Sequence, residues 1–339
     1  MFKSHRRRIV VHIFLLPITF AMHTRFRNAL FALAFATLAA PACALNILLV
    51  NDDGLTGNIQ AQYEALVAAG HDVVVSVPCQ NQSGKGAAIN FLEPLWALTR
   101  ACRGGAAEVG APGAGKVTSK ANYWYVDGTP VMTTAYGLDI VARQRWGMPP
   151  DLVVSGPNEG QNVGPLVNLS GTVSNAQYAA SLGLSAIAIS ADNNMNDTPA
   201  LQAEVAKLVV KLIDILKAKA VDGRLLPRGV ALNVNYPKFT EGQSGGLKWS
   251  LSRHGTYSKI GLKFVEDMAQ AGAGKVALPG LVFTRNTEPP AKQQSGDEAA
   301  VVANGKISVT AMQVGFDANV KTQRWLGREL GGLLEHGAR

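Results

Sequence analysis

The sequence predicts an α/β fold built on a mostly parallel, doubly wound sheet, followed by a C-terminal extension of hairpins and a helix. Two observations support this fold class. Short apolar runs that end in polar turns recur between residues 45 and 237, and helix-like segments separate them. Such runs are typical of strands buried on both faces, and their alternation with helices is typical of parallel sheets. From residue 238 onward the alternation fades into Gly- and Lys-rich segments.

The first predicted strand, residues 47–50, is an apolar run that ends abruptly at Asn51, Asp52, Asp53 and Gly54. A helix follows over about residues 59–69, because Gly70 supplies a C-cap. The other predicted elements are strands at residues 73–77, within 151–156 and at 186–190, 232–235 and 306–310, and helices at about 131–143, 174–182, 201–218 and 320–334.

Residues 104–120 contain few large apolar side chains. Such a composition is typical of loops rather than of packed elements. We therefore predict a mobile insertion between strands in this part of the chain.

Residues 1–44 are predicted to be a signal peptide with an upstream extension, outside the folded protein. They contain six basic and no acidic residues, and from Met22 onward basic residues precede an apolar run that ends at Ala42, Cys43 and Ala44. This order is typical of secretory signals. We expect a true start at Met22, cleavage after Ala44 and export to a bacterial periplasm, without stable membrane association. A lipid anchor on Cys43 and an uncleaved membrane anchor are the alternatives.

The charge distribution argues against a nucleic-acid polymer as partner. The chain carries a net charge of +8, but six positive charges lie in residues 1–44, which leaves the rest near +2. Nucleic-acid binding requires basic residues clustered on the folded part, and the sequence after residue 44 contains no such cluster.

Two cysteines follow the predicted signal peptide, Cys79 and Cys102. In an oxidising compartment we expect them to form a disulfide that closes a loop of about two dozen residues. Two free thiols are the alternative. Neither cysteine has a histidine or a second cysteine at metal-ligand spacing, so a zinc site is not predicted.

Asp52 and Asp53 are predicted to hold a divalent metal ion at the carboxyl end of the first strand. Open α/β sheets bind ligands at this edge, and paired carboxylates are hard oxygen donors suited to Mg²⁺ or Mn²⁺. The alternative is that one of them caps the helix beginning near Gly57. Ser83 and Asn158, in polar loops after neighbouring strands, offer neutral oxygens that would complete the metal shell.

A third polar segment, Ser170, Gly171 and Thr172, leads into a helix. Its backbone N–H groups and hydroxyls are suited to a phosphate. A metal ion beside an anion cradle is what phosphoryl hydrolysis requires. The residues therefore predict a phosphatase in which Asp52 or Asp53 also accepts the proton of the attacking water.

Six motifs occur in the order seen in the SurE (stationary-phase survival protein) family, and over about residues 45–237 the chain resembles its members. The motifs are NDDG at residues 51–54, QSG at 82–84, DGTP at 127–130, SGPNEGQNVG at 155–164, SGTV at 170–173 and LNVNYP at 232–237. The resemblance implies a Rossmann-like domain that hydrolyses nucleoside 5′- or 3′-monophosphates. It also implies one Mg²⁺ or Mn²⁺ ion per subunit, and a region at 238–339 that exchanges elements in a homodimer or homotetramer.

Carried over by position, the resemblance assigns both catalytic and binding roles. The metal ligands would be Asp52, Asp53, Ser83 and Asn158, of which the two aspartates are also catalytic. The phosphate pocket would use Ser170, Gly171 and Thr172, with Asn162 as a polar support.

The chain departs from the family pattern at a few positions. Leu169 stands where members often have tyrosine, Pro165 and Leu166 stand where they often have acidic residues, and Pro157 replaces an aliphatic residue. These changes leave the predicted metal ligands in place, and we expect them to alter the substrate pocket and subunit packing.

Two other classes of function compete with the phosphatase. A non-catalytic periplasmic protein that binds a nucleotide or phosphate is one, but adjacent carboxylates without a metal would repel a phosphate. A two-domain sugar transferase is the other, and it leaves Asp52 and Asp53 unexplained. Histidine chemistry has little support, although the loop around His254 could reach the site.

Overall fold

The computed structural model describes residues 44–315 and 318–330. The predicted signal peptide, apart from Ala44, and residues 331–334 of the predicted closing helix lie outside these ranges. The described residues form a nine-stranded sheet with helices on both faces and a separate two-stranded hairpin. This arrangement confirms the predicted α/β class.

The strands of the sheet are numbered in chain order. They are β1 Asn46–Val50, β2 Asp72–Pro78, β3 Ala114–Lys116, β4 Tyr123–Val126, β5 Leu152–Glu159, β6 Ser185–Ala191, β7 Val230–Tyr236, β8 Trp249–Leu251 and β11 Ile307–Gln313. The spatial order is β3-β4-β2-β1-β5-β6-β7-β11-β8. The six strands from β4 to β7 in this order are mutually parallel. β3 and β11 each run antiparallel to their inner neighbour.

Six α-helices flank the sheet or connect its strands, and a seventh closes the described chain. They are α1 Gly57–Ala68, α2 Pro130–Tyr136, α3 Arg143–Trp146, α4 Gly171–Ser181, α5 Pro199–Ala218, α6 Glu298–Ala303 and α7 Val320–Glu329. A single turn of π-helix, Gly137–Ala142, joins α2 to α3. Among the residues described, no helix is both long and apolar enough to span a membrane.

Alternate residues of β1 pack on opposite faces of the sheet, as the two-residue period of a strand requires. Ile47 and Leu49 belong to the core beneath α1 and α5, whereas Leu48 and Val50 belong to the core beneath α4. All four side chains are fully buried. This burial on both faces explains the unbroken apolar run in the sequence, because burying each such side chain contributes about 1.5–3 kcal/mol.

Residues 104–120 do not form the predicted mobile insertion. They contain β3, which pairs antiparallel with β4 at the sheet edge, and they bury Ala106 and Val117. The Tyr125 hydroxyl also donates to the Pro112 carbonyl at 2.9 Å. The prediction was wrong because this segment packs through backbone pairing and small side chains, which leave no apolar periodicity.

The C-terminal region forms a hairpin and also extends the main sheet. The hairpin pairs β9, Ile260–Val265, antiparallel with β10, Gly280–Arg285. β11 joins β7, and β8 joins β11. The predicted strand at residues 306–310 therefore belongs to the sheet, and β8 and α6 were not predicted.

The expected disulfide is present. Cys79 is bonded to Cys102, and both residues are buried. Cys79 directly follows β2, so the bond fixes the loop between these cysteines at the carboxyl edge of the sheet.

Candidate metal and phosphate site

The aspartate pair lies at the carboxyl end of β1, where neighbouring connections lead to opposite sides of the sheet. Open α/β sheets bind their ligands at such a switch point. Asn51 closes the turn, because its Nδ2 donates to the Gly54 carbonyl at 2.7 Å. Gly54 has a φ of +91°, and a Cβ there would lie 3.2 Å from the Pro78 carbonyl oxygen. The turn leaves Asp52 and Asp53 only 3% and 1% exposed.

Neither aspartate caps the following helix. The N-cap of α1 is Thr56. The interpretation of the pair as a helix cap is therefore wrong.

Asp52 is held against the beginning of α4. The Thr172 hydroxyl donates to Asp52 Oδ1 at 2.6 Å. A Cβ on Gly171 would lie 2.7 Å from Asp52 Cβ and 2.8 Å from its Oδ2, so only glycine fits. Burial raises the pKa of the Asp52 carboxyl, and the hydrogen bonds from Thr172 and the backbone of this turn oppose that rise only in part.

Asp53 points to the adjacent strand. Its Oδ2 accepts the Glu159 backbone N–H at 3.0 Å, and its Oδ1 accepts from Asn81 Nδ2 at 3.3 Å. Burial, and then the neighbouring charge of Asp52, raise the pKa of the Asp53 carboxyl well above its usual range. Two buried carboxylates side by side are costly to keep ionised, and a divalent cation between them would offset that cost.

Asn158 presents an unsatisfied oxygen at the end of β5. Its Nδ2 donates to the Gly160 carbonyl at 2.8 Å, while its buried Oδ1 has no hydrogen-bond partner. A break in the β5–β6 register between Ser155 and Asn158 precedes it. Gly156 permits this bulge, since a Cβ there would lie 2.1 Å from the Ile189 carbonyl oxygen. A buried acceptor without a donor is suited to binding a cation.

Ser83 is exposed, and it lines the same cavity as Asp52. Its loop is anchored to the pair, because the Gln82 N–H donates to the Asp52 carbonyl at 2.7 Å. The Ser83 N–H in turn donates to Asn81 Oδ1 at 2.8 Å, and Asn81 is the residue that contacts Asp53. Ser83 thus reaches the site from a loop hydrogen-bonded to both aspartates.

The predicted phosphate-binding residues do not all face the cavity. Ser170 lines it, and its Oγ accepts the Val173 N–H at 3.1 Å as the N-cap of α4. Ser170 keeps its hydroxyl proton available for a ligand. Thr172 is fully buried and its hydroxyl is engaged by Asp52, so it orients a carboxylate and Gly171 makes room for one.

Asn162 also lines the cavity, and buried polar side chains hold it in place. Its Nδ2 donates to Ser190 Oγ at 2.9 Å, and its backbone N–H donates to Asn235 Oδ1 at 2.8 Å. Asn233 Nδ2 donates to the Asn162 carbonyl at 2.9 Å and to Glu298 at 2.8 Å. Sequence reasoning missed the role of these asparagines, although their alternation in β7 placed them on one face of the strand.

His254 contacts Glu298 rather than the cavity. Its Nδ1 lies 3.0 Å from Glu298 Oε2, and the Glu298 side chain is fully buried. Glu298 links His254 to the site, because its carboxylate also accepts the Asn233 side chain at 2.8 Å and the Gly164 N–H at 3.2 Å. The structure gives it no contact with the aspartate pair.

The cavity has a volume of about 900 Å³ and is lined by both polar and apolar side chains. The polar lining residues include Asp52, Ser83, Asn162 and Ser170. The apolar ones include Leu166, Leu169 and four side chains of the β9–β10 hairpin, namely Ile260, Leu262, Leu281 and Phe283. Leu166 and Leu169 are positions at which the chain departs from the family pattern. The hairpin residues carry no local sequence signal and were not predicted.

The donor set favours a hard cation. Within residues 44–315 and 318–330, no three His, Cys, Asp or Glu side chains gather into a metal-binding cluster. The donors are instead two carboxylates supplemented by neutral oxygens, Asn158 Oδ1 and Ser83 Oγ. Mg²⁺ is commonly held by one or two carboxylates and keeps its other positions for water and substrate phosphate. These residues therefore fit the predicted ion.

Comparison with known proteins gives consistent matches. Residues 47–259 match the family described as Survival protein SurE. A protein of Aquifex aeolicus named 5′-nucleotidase SurE is 31% identical over 268 residues, which cover 79% of this chain and 91% of that protein. A protein of Thermosipho melanesiensis, also named 5′-nucleotidase SurE, is 28% identical over 270 residues. These residues cover 80% of this chain and 92% of that protein. A Yarrowia lipolytica acid phosphatase is 36% identical over 205 residues, covering 56% of each chain.

The fold matches as well. The crystal structure of the SurE protein from Aquifex aeolicus superposes with a TM-score of 0.62 at 27% identity. The match covers 84% of this chain and 99% of that one.

Proposed function

Because the chain belongs to the SurE family, we propose that it is a phosphoric monoester hydrolase that releases phosphate from nucleoside monophosphates with the help of a bound Mg²⁺ or Mn²⁺ ion. The observation that carries the proposal is the pair of buried carboxylates, Asp52 and Asp53, beside an unsatisfied Asn158 oxygen. Relatives named 5′-nucleotidase SurE and acid phosphatase support the reaction class.

In this proposal Asp52, Asp53, Asn158 and Ser83 hold one ion. When bound, such an ion polarises a phosphate oxygen and lowers the pKa of a water molecule. Thr172 fixes the rotamer of Asp52, and the Glu159 N–H fixes that of Asp53. Both carboxylates therefore have a defined position before the substrate arrives.

The protein's own residues supply the remaining chemistry. The Ser170 hydroxyl, which lines the cavity, donates a hydrogen bond to a phosphoryl oxygen, where negative charge grows in the transition state. One carboxylate of the pair accepts the proton of the attacking water. The water oxygen forms the new P–O bond, the ester P–O bond breaks, and the alcohol leaves with a proton.

The cavity supports a substrate of nucleoside size. A volume of about 900 Å³ is far larger than a phosphate needs. The apolar lining residues Leu166, Leu169 and those of the hairpin offer a surface on which a flat, partly apolar base would pack.

We extend the proposal to export and assembly. The signal-like order of residues 22–44 and the Cys79–Cys102 disulfide support a periplasmic location. Phe264, 68% exposed on the hairpin, supports a homodimer or homotetramer that covers it. No nucleic-acid polymer is proposed as a partner.

Phosphate release from a panel of nucleoside monophosphates tests the proposal. We expect the purified protein to release phosphate with Mn²⁺ or Mg²⁺, and EDTA to reduce the rate by about 100-fold or more, since the ion supplies several kcal/mol of transition-state stabilisation. Restoring the metal should restore the rate. A folded protein that retains nucleotide in EDTA and releases no phosphate with either metal would instead favour the non-catalytic binding protein.

A further inference from the structure

Arg103 connects two of the three segments that carry the proposed metal ligands. Its Nη1 donates to the Asp53 carbonyl at 2.8 Å, and its Nη2 lies 2.9 Å from both carboxylate oxygens of Glu159. The Glu159 N–H in turn donates to Asp53 Oδ2 at 3.0 Å. The three residues form a closed ring of hydrogen bonds between the turn after β1 and the end of β5. No motif in the sequence pointed to Arg103, which lies 50 and 56 residues from its partners.

The chain around Arg103 is fixed by contacts of its own. Cys102 is disulfide-bonded to Cys79 at the end of β2, and the Arg103 N–H donates to the Cys79 carbonyl at 2.8 Å. Gly104 has a φ of +67°, and a Cβ there would lie 2.1 Å from the Leu55 carbonyl oxygen. The backbone at Arg103 is thus pressed against the loop that follows the aspartate pair.

The same disulfide closes the loop that carries Ser83. Residues 80–101 lie between the two bonded cysteines, so the disulfide joins the two ends of this loop. Arg103, the residue after Cys102, contacts the Asp53 carbonyl. Arg103 therefore contacts Asp53 and the end of the strand that carries Asn158. The neighbouring disulfide holds the loop that carries Ser83.

We propose that Arg103 is a positioning residue for the metal site, that it acts by bracing Asp53 against Glu159, and that the Cys79–Cys102 disulfide holds Arg103 in place. The inference rests on the metal site proposed above. The Arg103–Glu159 ion pair is partly exposed, with side chains 37% and 20% accessible, so its direct contribution to folding stability is small. Partners that orient metal ligands nevertheless have large effects on metal affinity.

A test must separate the effect of Arg103 on the position of Asp53 from the effect of its positive charge. Removing Arg103 alone deletes a positive charge near a cation site and leaves the Glu159 carboxylate without its partner. Both effects would strengthen the binding of a cation and so mask a loss of positioning. The double substitution Arg103→Met with Glu159→Gln removes one charge of each sign. It therefore breaks the brace without changing the net charge.

The matched control is the arginine–carboxylate pair at the start of β2. Arg145 binds the Asp72 carboxylate at 3.1–3.3 Å at the opposite, amino end of β2. Arg145→Met with Asp72→Asn removes the same kinds of charge and contact far from the site.

Free Mn²⁺, measured by electron paramagnetic resonance during titration of the purified protein, gives the dissociation constant without any turnover. We expect the Arg103→Met, Glu159→Gln variant to bind Mn²⁺ about 10-fold or more weakly than the wild type, and the control pair to bind within about twofold of it. Arg103→Lys should give an intermediate affinity, because one ammonium cannot reproduce the planar fork that spans both partners.

Enzyme kinetics distinguish positioning from a general loss of structure. The Mn²⁺ concentration for half-maximal phosphate release should rise about as much as the dissociation constant, while kcat at saturating Mn²⁺ stays within about threefold of wild type. A damaged fold would lower kcat at every Mn²⁺ concentration. Cys79→Ser with Cys102→Ser should weaken Mn²⁺ binding in the same direction.

The outcomes are distinct. Wild-type Mn²⁺ affinity in the Arg103→Met, Glu159→Gln variant would overturn the inference and leave the proposed function standing. A kcat that does not recover at saturating Mn²⁺ would also overturn it, in favour of a structural role. Wild-type affinity in the cysteine variant would overturn the part assigned to the disulfide. Failure of the wild-type protein itself to bind Mn²⁺ would remove the metal site, and the inference with it.

Discussion

Asp52→Asn is expected to lower kcat/KM for phosphate release by about 1000-fold or more, which corresponds to about 4 kcal/mol of lost transition-state stabilisation. The substitution keeps the shape of the side chain and removes the charge that would bind the ion. Because Asp52 is buried and its pKa is raised, the neutral amide should fold at least as well as the carboxylate. Phosphate release with saturating Mn²⁺, together with thermal unfolding, measures both effects.

Asp151→Asn is the matched control for this change. Asp151 immediately precedes β5 at the opposite end of the sheet, where its Oδ2 accepts the Asn46 N–H at 2.8 Å. An asparagine oxygen retains that bond, so we expect activity within about twofold of wild type. Substantial metal-dependent turnover in both Asp52→Asn and Asp53→Asn would defeat the assignment of the pair.

Gly171→Ala is expected to lower kcat/KM by about 100-fold, and to weaken Mn²⁺ binding, although it replaces no ionisable residue. The added methyl group would lie 2.5 Å from Pro130 Cγ, 2.7 Å from Asp52 Cβ and 2.8 Å from Asp52 Oδ2. These distances force Asp52 to move. Alanine is otherwise the better helix residue, by about 0.5–1 kcal/mol, so the loss must come from the contact.

Gly246→Ala supplies the comparison for this variant. Gly246 does not need a positive φ, and a Cβ there would meet no atom within 4 Å. Its activity and Mn²⁺ affinity should equal those of the wild type. Normal activity and affinity in Gly171→Ala would show that the first turn of α4 does not hold Asp52 as described.

The fold was predictable wherever burial leaves a periodic signal. β1, β2 and β6 are apolar on both faces, and helices fit between them, so their order and approximate bounds were confirmed. β3 and β8 were missed because a three-residue edge strand is held by backbone pairing and needs no apolar run. The way β11 and β8 extend the sheet depends on contacts between residues far apart in the chain, which local patterns do not encode.

The site was predictable to the level of which residues share an edge of the sheet. Asp52, Ser83, Asn162 and Ser170 do line one cavity. The role of each residue was not predictable. For example, nothing in the sequence shows whether the Thr172 hydroxyl faces the ligand or Asp52. The Arg103–Glu159 ion pair was also not predictable from the sequence, because 56 residues separate its members and no spacing rule relates them.

The most direct measurement is the anomalous diffraction of crystals of the protein grown with Mn²⁺. The account predicts one strong peak per subunit, bonded to carboxylate oxygens of both Asp52 and Asp53 and completed by Asn158 Oδ1 and Ser83. The peak should vanish in Asp52→Asn crystals. A fully occupied Mn²⁺ ion elsewhere in the chain, with the aspartate pair binding none, would contradict the central claim.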